Sequence, residues 1–365
     1  MNFLDNLVES NILPDYYLTT DSSVLEKRIK MIKNEMKDDL FIPGHHYQKD
    51  EVVQFADEMG DSLELAKQSA TKTAKYIVFC GVHFMAETAD ILSSNDQAVI
   101  LPDLRAGCSM ADMASIKQTE KAWTYLQEIF DDTIMPLTYV NSTADIKAFV
   151  GKNGGATVTS SNAKEMIKWA FKQKERLLFL PDQHLGRNTA FELGIKLNEM
   201  AVYDPINECL EYDGLYDDVK VILWKGHCSV HQLFTAAQIE SIKQNDDQIQ
   251  VIVHPECPFE VLEKSDLSGS TRYIIDKIDQ APPGSKFAVG TEMNLVNRLI
   301  DTYPDKHIQS LNPFMCPCVT MNRIDLPHLA YALDCVYESE LLNVISVPNQ
   351  TKEYAKMALQ RMLDH

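Results

Sequence analysis

Three stretches of this chain run from an apolar, strand-like segment through a glycine or proline to a cysteine. They are Val99-Ile100-Leu101-Pro102-Asp103-Leu104-Arg105-Ala106-Gly107-Cys108, Val221-Ile222-Leu223-Trp224-Lys225-Gly226-His227-Cys228 and Ile308-Gln309-Ser310-Leu311-Asn312-Pro313-Phe314-Met315-Cys316-Pro317-Cys318. Each apolar run reads as a buried strand, and the breaker ends it just before the thiol. The end of a strand is where an open α/β sheet presents its ligands. Thiols this far apart in sequence converge if the chain folds as three similar units. Three thiolates on one iron–sulfur cluster would leave one iron free to hold substrate.

Three other elements recur in the same order ahead of each cysteine segment. The first is a strand with a polar end: Leu40-Phe41-Ile42-Pro43-Gly44-His45-His46-Tyr47, Ile134-Met135-Pro136-Leu137-Thr138-Tyr139-Val140-Asn141, and Val251-Ile252-Val253-His254-Pro255-Glu256-Cys257. The second is a hydroxyl cluster opening a helix: Gly60-Asp61-Ser62, Thr159-Ser160-Ser161-Asn162, and Ser268-Gly269-Ser270-Thr271. The third is another polar-ended strand: Ile77-Val78-Phe79-Cys80-Gly81-Val82-His83, Leu177-Leu178-Phe179-Leu180-Pro181-Asp182-Gln183-His184, and Phe287-Ala288-Val289-Gly290-Thr291-Glu292. The period is too long for a solenoid and fits domains of roughly 90–120 residues. Strands alternating with helices predict an α/β fold with parallel sheets and right-handed crossovers. Helices are expected over 61–68 and 161–174, each opening at an N-cap residue. The expected organisation is an N-terminal arm over 1–24, then three αβα domains. Domain one takes 25–106 together with the tail 323–365, domain two 107–225, and domain three 226–322. An acidic stretch over 207–218 reads as a surface insertion in domain two.

The net charge of −19 argues against nucleic acid or an anionic membrane as partner, since both want a basic face. It also means that an anionic substrate needs a locally positive pocket. The start, Met1-Asn2-Phe3-Leu4-Asp5, has no basic and then apolar run, so no signal peptide is visible. No apolar run approaches the ~20 residues of a membrane span. A cytoplasmic protein is expected, and its eight cysteines read as thiols or metal ligands rather than disulfides.

Cys108 and Cys228 are the stronger ligand candidates, because of their glycine approaches and polar surroundings. Cys316 and Cys318 compete for the third place. Cys257 is a spare in the wrong repeat element, and Cys80, Cys209 and Cys335 read as small buried hydrophobes. Ser62, Ser160 and Thr271 lie at helix N-termini, where free N–H groups and the dipole attract carboxylate and phosphate. The competing role for each is a simple cap worth ~1 kcal/mol. His45, Tyr47, Tyr139, Asn141, His231, His254 and Glu256 sit at strand ends or beside a cysteine and are the acid–base candidates. The other histidines, His184 among them, read as structural or surface residues.

Together these residues resemble the quinolinate synthase family. The resemblance is carried in order by Gly44-His45-His46-Tyr47-Gln48, Gly60-Asp61-Ser62-Leu63, Gly107-Cys108-Ser109-Met110-Ala111, Tyr139-Val140-Asn141-Ser142, Thr159-Ser160-Ser161-Asn162-Ala163, Trp224-Lys225-Gly226-His227-Cys228, His254-Pro255-Glu256-Cys257, Gly269-Ser270-Thr271 and Gly290-Thr291-Glu292. It implies three αβα domains in a pseudo-threefold triangle around a [4Fe–4S] cluster. Cys108, Cys228 and Cys318 would ligate the cluster and leave one iron without a protein ligand. The implied reaction condenses iminoaspartate with dihydroxyacetone phosphate to quinolinate, releasing phosphate and water, for NAD biosynthesis. His45, Ser62, Ser160 and Thr271 would anchor substrate, while Tyr47, Tyr139, Asn141, His231, His254 and Glu256 would line the reacting centre. An iminoaspartate-producing oxidase and cluster-assembly proteins are the further partners implied. The chain departs from the family pattern at His46, where many members have Asn, at Val158, where Cys is common, and in a longer second domain with the extra residues expected over 203–216. Two other readings share parts of the pattern: a different cluster-dependent hydro-lyase, and a cluster-based sensor.

Overall fold

The apolar runs singled out above are strands, and nearly all of them pair in parallel. The computed structural model describes residues 13–365. It divides into two compact units, one of residues up to Cys108 with Cys318–Val347, the other of Ser109–Pro317 with Pro348–His365.

The first unit contains β1 (Leu40–Phe41), β2 (Pro43–His45), β3 (Glu58–Gly60), β4 (Tyr76–Val78) and β5 (Ala98–Ile100). β1, β4 and β5 lie side by side in parallel, and Val344–Ile345 closes the far edge antiparallel to β5. β2 continues the path of β1 after Ile42 and pairs in parallel with β3. The second unit contains β6 (Ile134–Tyr139), β7 (Ala156–Val158), β8 (Arg176–Leu180), β9 (Met200–Asp204), β10 (Cys209–Glu211) and β11 (Val221–Trp224) in one six-stranded sheet. Its other sheet is built from β12 (Gln250–Val253), β13 (Leu267–Ser268), β14 (Lys286–Gly290) and β15 (His307–Ser310).

The strand orders disclose the repeat. The last sheet runs β13-β12-β14-β15. The six-stranded sheet runs β7-β6-β8-β11, with β9 and β10 added at the β11 edge. The first unit runs β3, then the β1/β2 path, then β4 and β5. In all three, the second strand flanks the first and the third and fourth follow on its other side. Helical crossovers are what parallel neighbours require. The cysteine segment leaves the fourth strand each time, and the hydroxyl cluster follows the second. β6 and β11 are buried along their whole length, as strands covered on both faces are.

Several boundaries differ from expectation. The added segment of the second sheet starts earlier than 203, because Met200 to Tyr203 is apolar enough to join the sheet beside β11. β10 then turns back on β9 as an antiparallel edge. The helix expected over 61–68 runs Ser62–Thr71, capped by Asp61 with Glu64 completing a capping box. The helix expected from 161 starts at Ala163 and has no side-chain cap, because Asn162 Oδ1 instead accepts from the Thr159 N–H at 2.8 Å. Of the arm 1–24, residues 1–12 lie outside the described residues. The rest packs into the first unit, with the Tyr17 hydroxyl donating to Asp334 at 2.7 Å.

The tail does not stay together. The helix Leu326–Tyr337 belongs to the first unit, but Asn349–Leu363 packs on the helix Ala144–Lys152 of the second. Gly151 makes that approach possible, since a Cβ there would sit 1.9 Å from the Tyr354 carbonyl oxygen. Arg361 then donates to the carbonyls of Gly151 and Gly155. Among the described residues no helix is long and apolar enough to cross a membrane. Gly151→Val is expected to push the last helix off and cost about 1–3 kcal/mol through overpacking. Urea unfolding of the variant against the parent measures it.

Candidate functional site

A buried carboxylate organises the polar residues of the second unit. β12 ends at Val253, and the chain turns through His254-Pro255-Glu256-Cys257, with the Cys257 N–H donating to the His254 carbonyl at 3.0 Å. Asn188 holds this turn by donating to the carbonyls of Pro255 and Cys257 at 2.9 and 2.8 Å. Glu256 is thereby carried inside at 4 % exposure. Its Oε1 accepts from the Tyr139 hydroxyl at 2.6 Å, and its Oε2 lies 2.9 Å from His231 Nδ1. Tyr139 is the last residue of β6. His231 lies one short helical turn beyond Cys228, whose sulfur is 3.2 Å from Nδ1. The other ring nitrogen of His231 meets the Thr291 hydroxyl at 3.2 Å. The His254 ring lies 4.7 Å from that of His231, centroid to centroid, and its Nε2 meets the Ser160 hydroxyl at 3.2 Å.

This packing sets the protonation states. Burial by itself would raise the Glu256 carboxyl, but the His231 and His254 imidazoles outweigh it. With the hydrogen bonds from His231 and Tyr139 they hold it well below the usual carboxylate range. Burial pushes the His254 imidazole down to about 3, so it is neutral near pH 7. Asp182 moves the other way: burial, and then the charge of Glu256, raise it well above an ordinary carboxyl. The two buried carboxyls are thus pushed in opposite directions, Glu256 toward its ionised form and Asp182 toward its neutral one.

The anion-binding candidates escape the cap alternative. Asp61 caps the helix that Ser62 opens, and Ser270 caps the helix that Thr271 opens, its hydroxyl accepting from the Tyr273 N–H at 3.3 Å. Among the described residues Ser160 caps no helix, and its hydroxyl meets His254 instead. The Oδ1 of Asn141 is buried without a hydrogen-bond partner among the described residues. In the first unit His45 ends β2, its Nδ1 accepts from the Tyr47 N–H at 3.1 Å, and the two rings meet edge to face at 4.7 Å.

All eight cysteines are free thiols. Burial raises Cys80 to about 12 and Cys257 well above the normal thiol range, so neither forms a thiolate easily. Cys108, Cys228 and Cys318 are half-buried and reachable. Cys318 Sγ lies 3.5 Å from the Thr320 hydroxyl, whereas Cys316 is exposed. Cys209, read above as buried, is exposed on the edge strand β10, and Cys335 is only half-buried. Trp224, with its indole N–H on the Met113 carbonyl at 2.8 Å, fixes the approach to Cys228. Gly226 is required there, since a Cβ would sit 2.1 Å from the Pro181 oxygen.

The model of the quinolinate synthetase A protein family matches residues 27–364. Quinolinate synthase of Bacillus cereus is 66% identical over 354 residues, covering 97% of this chain and 96% of that protein. Quinolinate synthase of Bacillus anthracis is 65% identical over the same span, with the same coverage of each chain. The chain belongs to the quinolinate synthetase A family. The candidate site also holds groups that strand-end reasoning left unassigned. Thr291 and Asp182 both follow the third strand of a repeat, the first bonded to His231 and the second capping the helix Gln183–Glu192. The polar end of that element was the available signal. His184, read above as structural or surface, is buried against Gln232 at 2.7 Å, and burial lowers it to about 4.

A buried ion-pair cluster lies in the first unit. Asp103, 1 % exposed and five residues before Cys108, accepts from Arg105 Nε and NH2 at 3.0 Å each. Arg323, five residues after Cys318, donates Nε to the same carboxylate at 3.3 Å. Two cysteine-bearing segments are thus tied to one buried charge. Burial opposes that charge, but the Arg105 bonds prevail and hold Asp103 below the ordinary carboxyl range. A group whose folded pKa is depressed contributes fully above its unfolded pKa, about 3.9, and its contribution fades as pH falls further. Asp103→Asn is expected to lower stability by about 1–3 kcal/mol at pH 7. The gap to the parent should shrink below about pH 4, as urea unfolding across pH measures.

Proposed function

We propose that this chain is a quinolinate synthase, condensing iminoaspartate with dihydroxyacetone phosphate to quinolinate, phosphate and water. The observation that carries the reading is the chain Tyr139–Glu256–His231–Cys228, which joins proton-moving groups to a candidate cluster ligand. The substrates are those the family resemblance implies, and membership of the quinolinate synthetase A family supports that choice. The three sheets, each followed by one reachable thiol, are taken as three αβα domains. The thiol set fits a [4Fe–4S] cluster: Cys108, Cys228 and Cys318 are half-buried, while Cys80 and Cys257 are sealed in the core. When bound, the cluster would offer a Lewis-acidic iron with no protein ligand.

The side chains then divide the work. Glu256, kept ionised, is a weak base but a good partner for an imidazolium. It orients His231 and stabilises the charge that His231 acquires on taking a proton, as the acid of a catalytic triad does. Tyr139 holds the second carboxylate oxygen and is placed to relay a proton. Neutral His254, aligned with the Ser160 hydroxyl, offers a hydrogen bond without adding charge. Ser62, Ser160 and Thr271 meet the two carboxylates and the phosphate of the substrates, which a chain of net charge −19 otherwise repels. His45, Tyr47 and Asn141 are taken as further substrate contacts, with the buried Oδ1 of Asn141 as an acceptor. Eight free thiols suit a reducing cytoplasm. An oxidase supplying iminoaspartate and cluster-assembly proteins are the partners this chemistry calls for.

Anaerobically purified protein is expected to carry about four irons and four sulfides per chain, as a [4Fe–4S] cluster requires. It should form quinolinate from the two substrates. A protein that stays iron-free after reconstitution overturns the reading. Glu256→Gln should keep its iron and lose about a hundredfold or more in turnover, the scale of acid–base assistance. Cys108→Ala should lose both iron and activity.

A further inference from the structure

Cys228 Sγ, His231 Nδ1 and Glu256 Oε2 lie around one point, with 3.2 Å from sulfur to nitrogen and 2.9 Å from nitrogen to oxygen. One donor atom from each residue lies within 4.8 Å of the others. We propose that these three residues form a second, mononuclear site for a divalent transition metal such as Zn²⁺ or Fe²⁺, filled when the cluster is absent. Thiolate, imidazole and carboxylate are three accepted zinc donors, and three protein ligands leave a fourth position open. Zn–N and Zn–O bonds of roughly 2.0–2.2 Å and Zn–S of about 2.3 Å fit this group after a small outward shift of the donors.

The outer contacts are those a metal site needs. Thr291 engages the remaining nitrogen of His231, which fixes the ring with Nδ1 toward the ion. Tyr139 occupies Oε1 of Glu256, leaving Oε2 for the ion. His231 and Glu256 are 2 % and 4 % exposed, while half-buried Cys228 provides the way in. The consequence rests on the proposed reading of Cys228 as a cluster ligand: one thiol cannot serve both, so a zinc ion here keeps the chain from taking up its cluster. Binding of the ion itself does not depend on that reading.

The test is Co²⁺ titration of the full chain, stripped of metal and reduced under anaerobic conditions, read by thiolate-to-cobalt absorption and visible bands. One ion per chain is expected. His231→Gln and Glu256→Gln should each weaken binding more than tenfold, and Cys108→Ala and Cys318→Ala should leave it unchanged. Thr291→Val, which keeps every donor, should weaken it about tenfold and guards against a misfolded ligand variant. Unchanged affinity in the His231 and Glu256 variants, or loss in either the Cys108 or the Cys318 variant, overturns the proposal. Iron loading is measured separately. Cobalt binding without four-iron loading removes the cluster reading alone, and the reverse result removes this site alone.

Discussion

The ionised Glu256 carboxylate is the constraint to which much of the second unit answers. A charge removed from water costs several kcal/mol unless partners surround it. Here the partners come from separate places in the chain: Tyr139 from the end of β6, His231 from the turn after Cys228, and His254 from its own turn. None of these positions works if the two sheets of the unit slip, because the hydrogen bonds tolerate only tenths of an ångström. The site and the packing of the sheets therefore hold each other in place. Asn188, which grips the backbone on both sides of Glu256, extends that dependence to the helix Gln183–Glu192.

Much of the fold was legible because strand, breaker and thiol recur with their accompaniments in order. The repeat of strand order follows from local signals: apolar runs of four to six residues, then a capping or turn residue. What the sequence left open was where amphipathic pieces dock. Ala355, Ala358, Leu359 and Met362 announce that the last helix buries one face, but a stripe names no partner. The partner is set by Gly151, a lone residue whose meaning is a close helix approach visible only in three dimensions. Asn162 teaches the same lesson at shorter range. Its side chain suits an N-cap, but its Oδ1 accepts from the Thr159 N–H instead.

Candidate site residues were legible where chemistry coincides with a strand end. Tyr139, Ser160, His231, His254 and Glu256 meet around one centre, as their positions suggested. Thr291 and Asp182 went unassigned because a threonine or aspartate after a strand is ordinary turn chemistry. Only contact with His231, or burial near Glu256, lifts them above that background. His184, read as structural or surface, is a buried side chain bonded to Gln232, a partner from a separate segment.

The caps Asp61 and Ser270 sit one residue ahead of the hydroxyls at Ser62 and Thr271. On the proposed reading of Ser62 and Thr271 as substrate contacts, helix stability and ligand contact are carried by adjacent but separate side chains. A chain arranged this way is free to alter what it binds at these positions without loosening the helices that present them. Had one residue held both duties, every adjustment of affinity would have been an adjustment of the fold. On that reading, the spacing of a single residue is a source of adaptability at both of these helix starts.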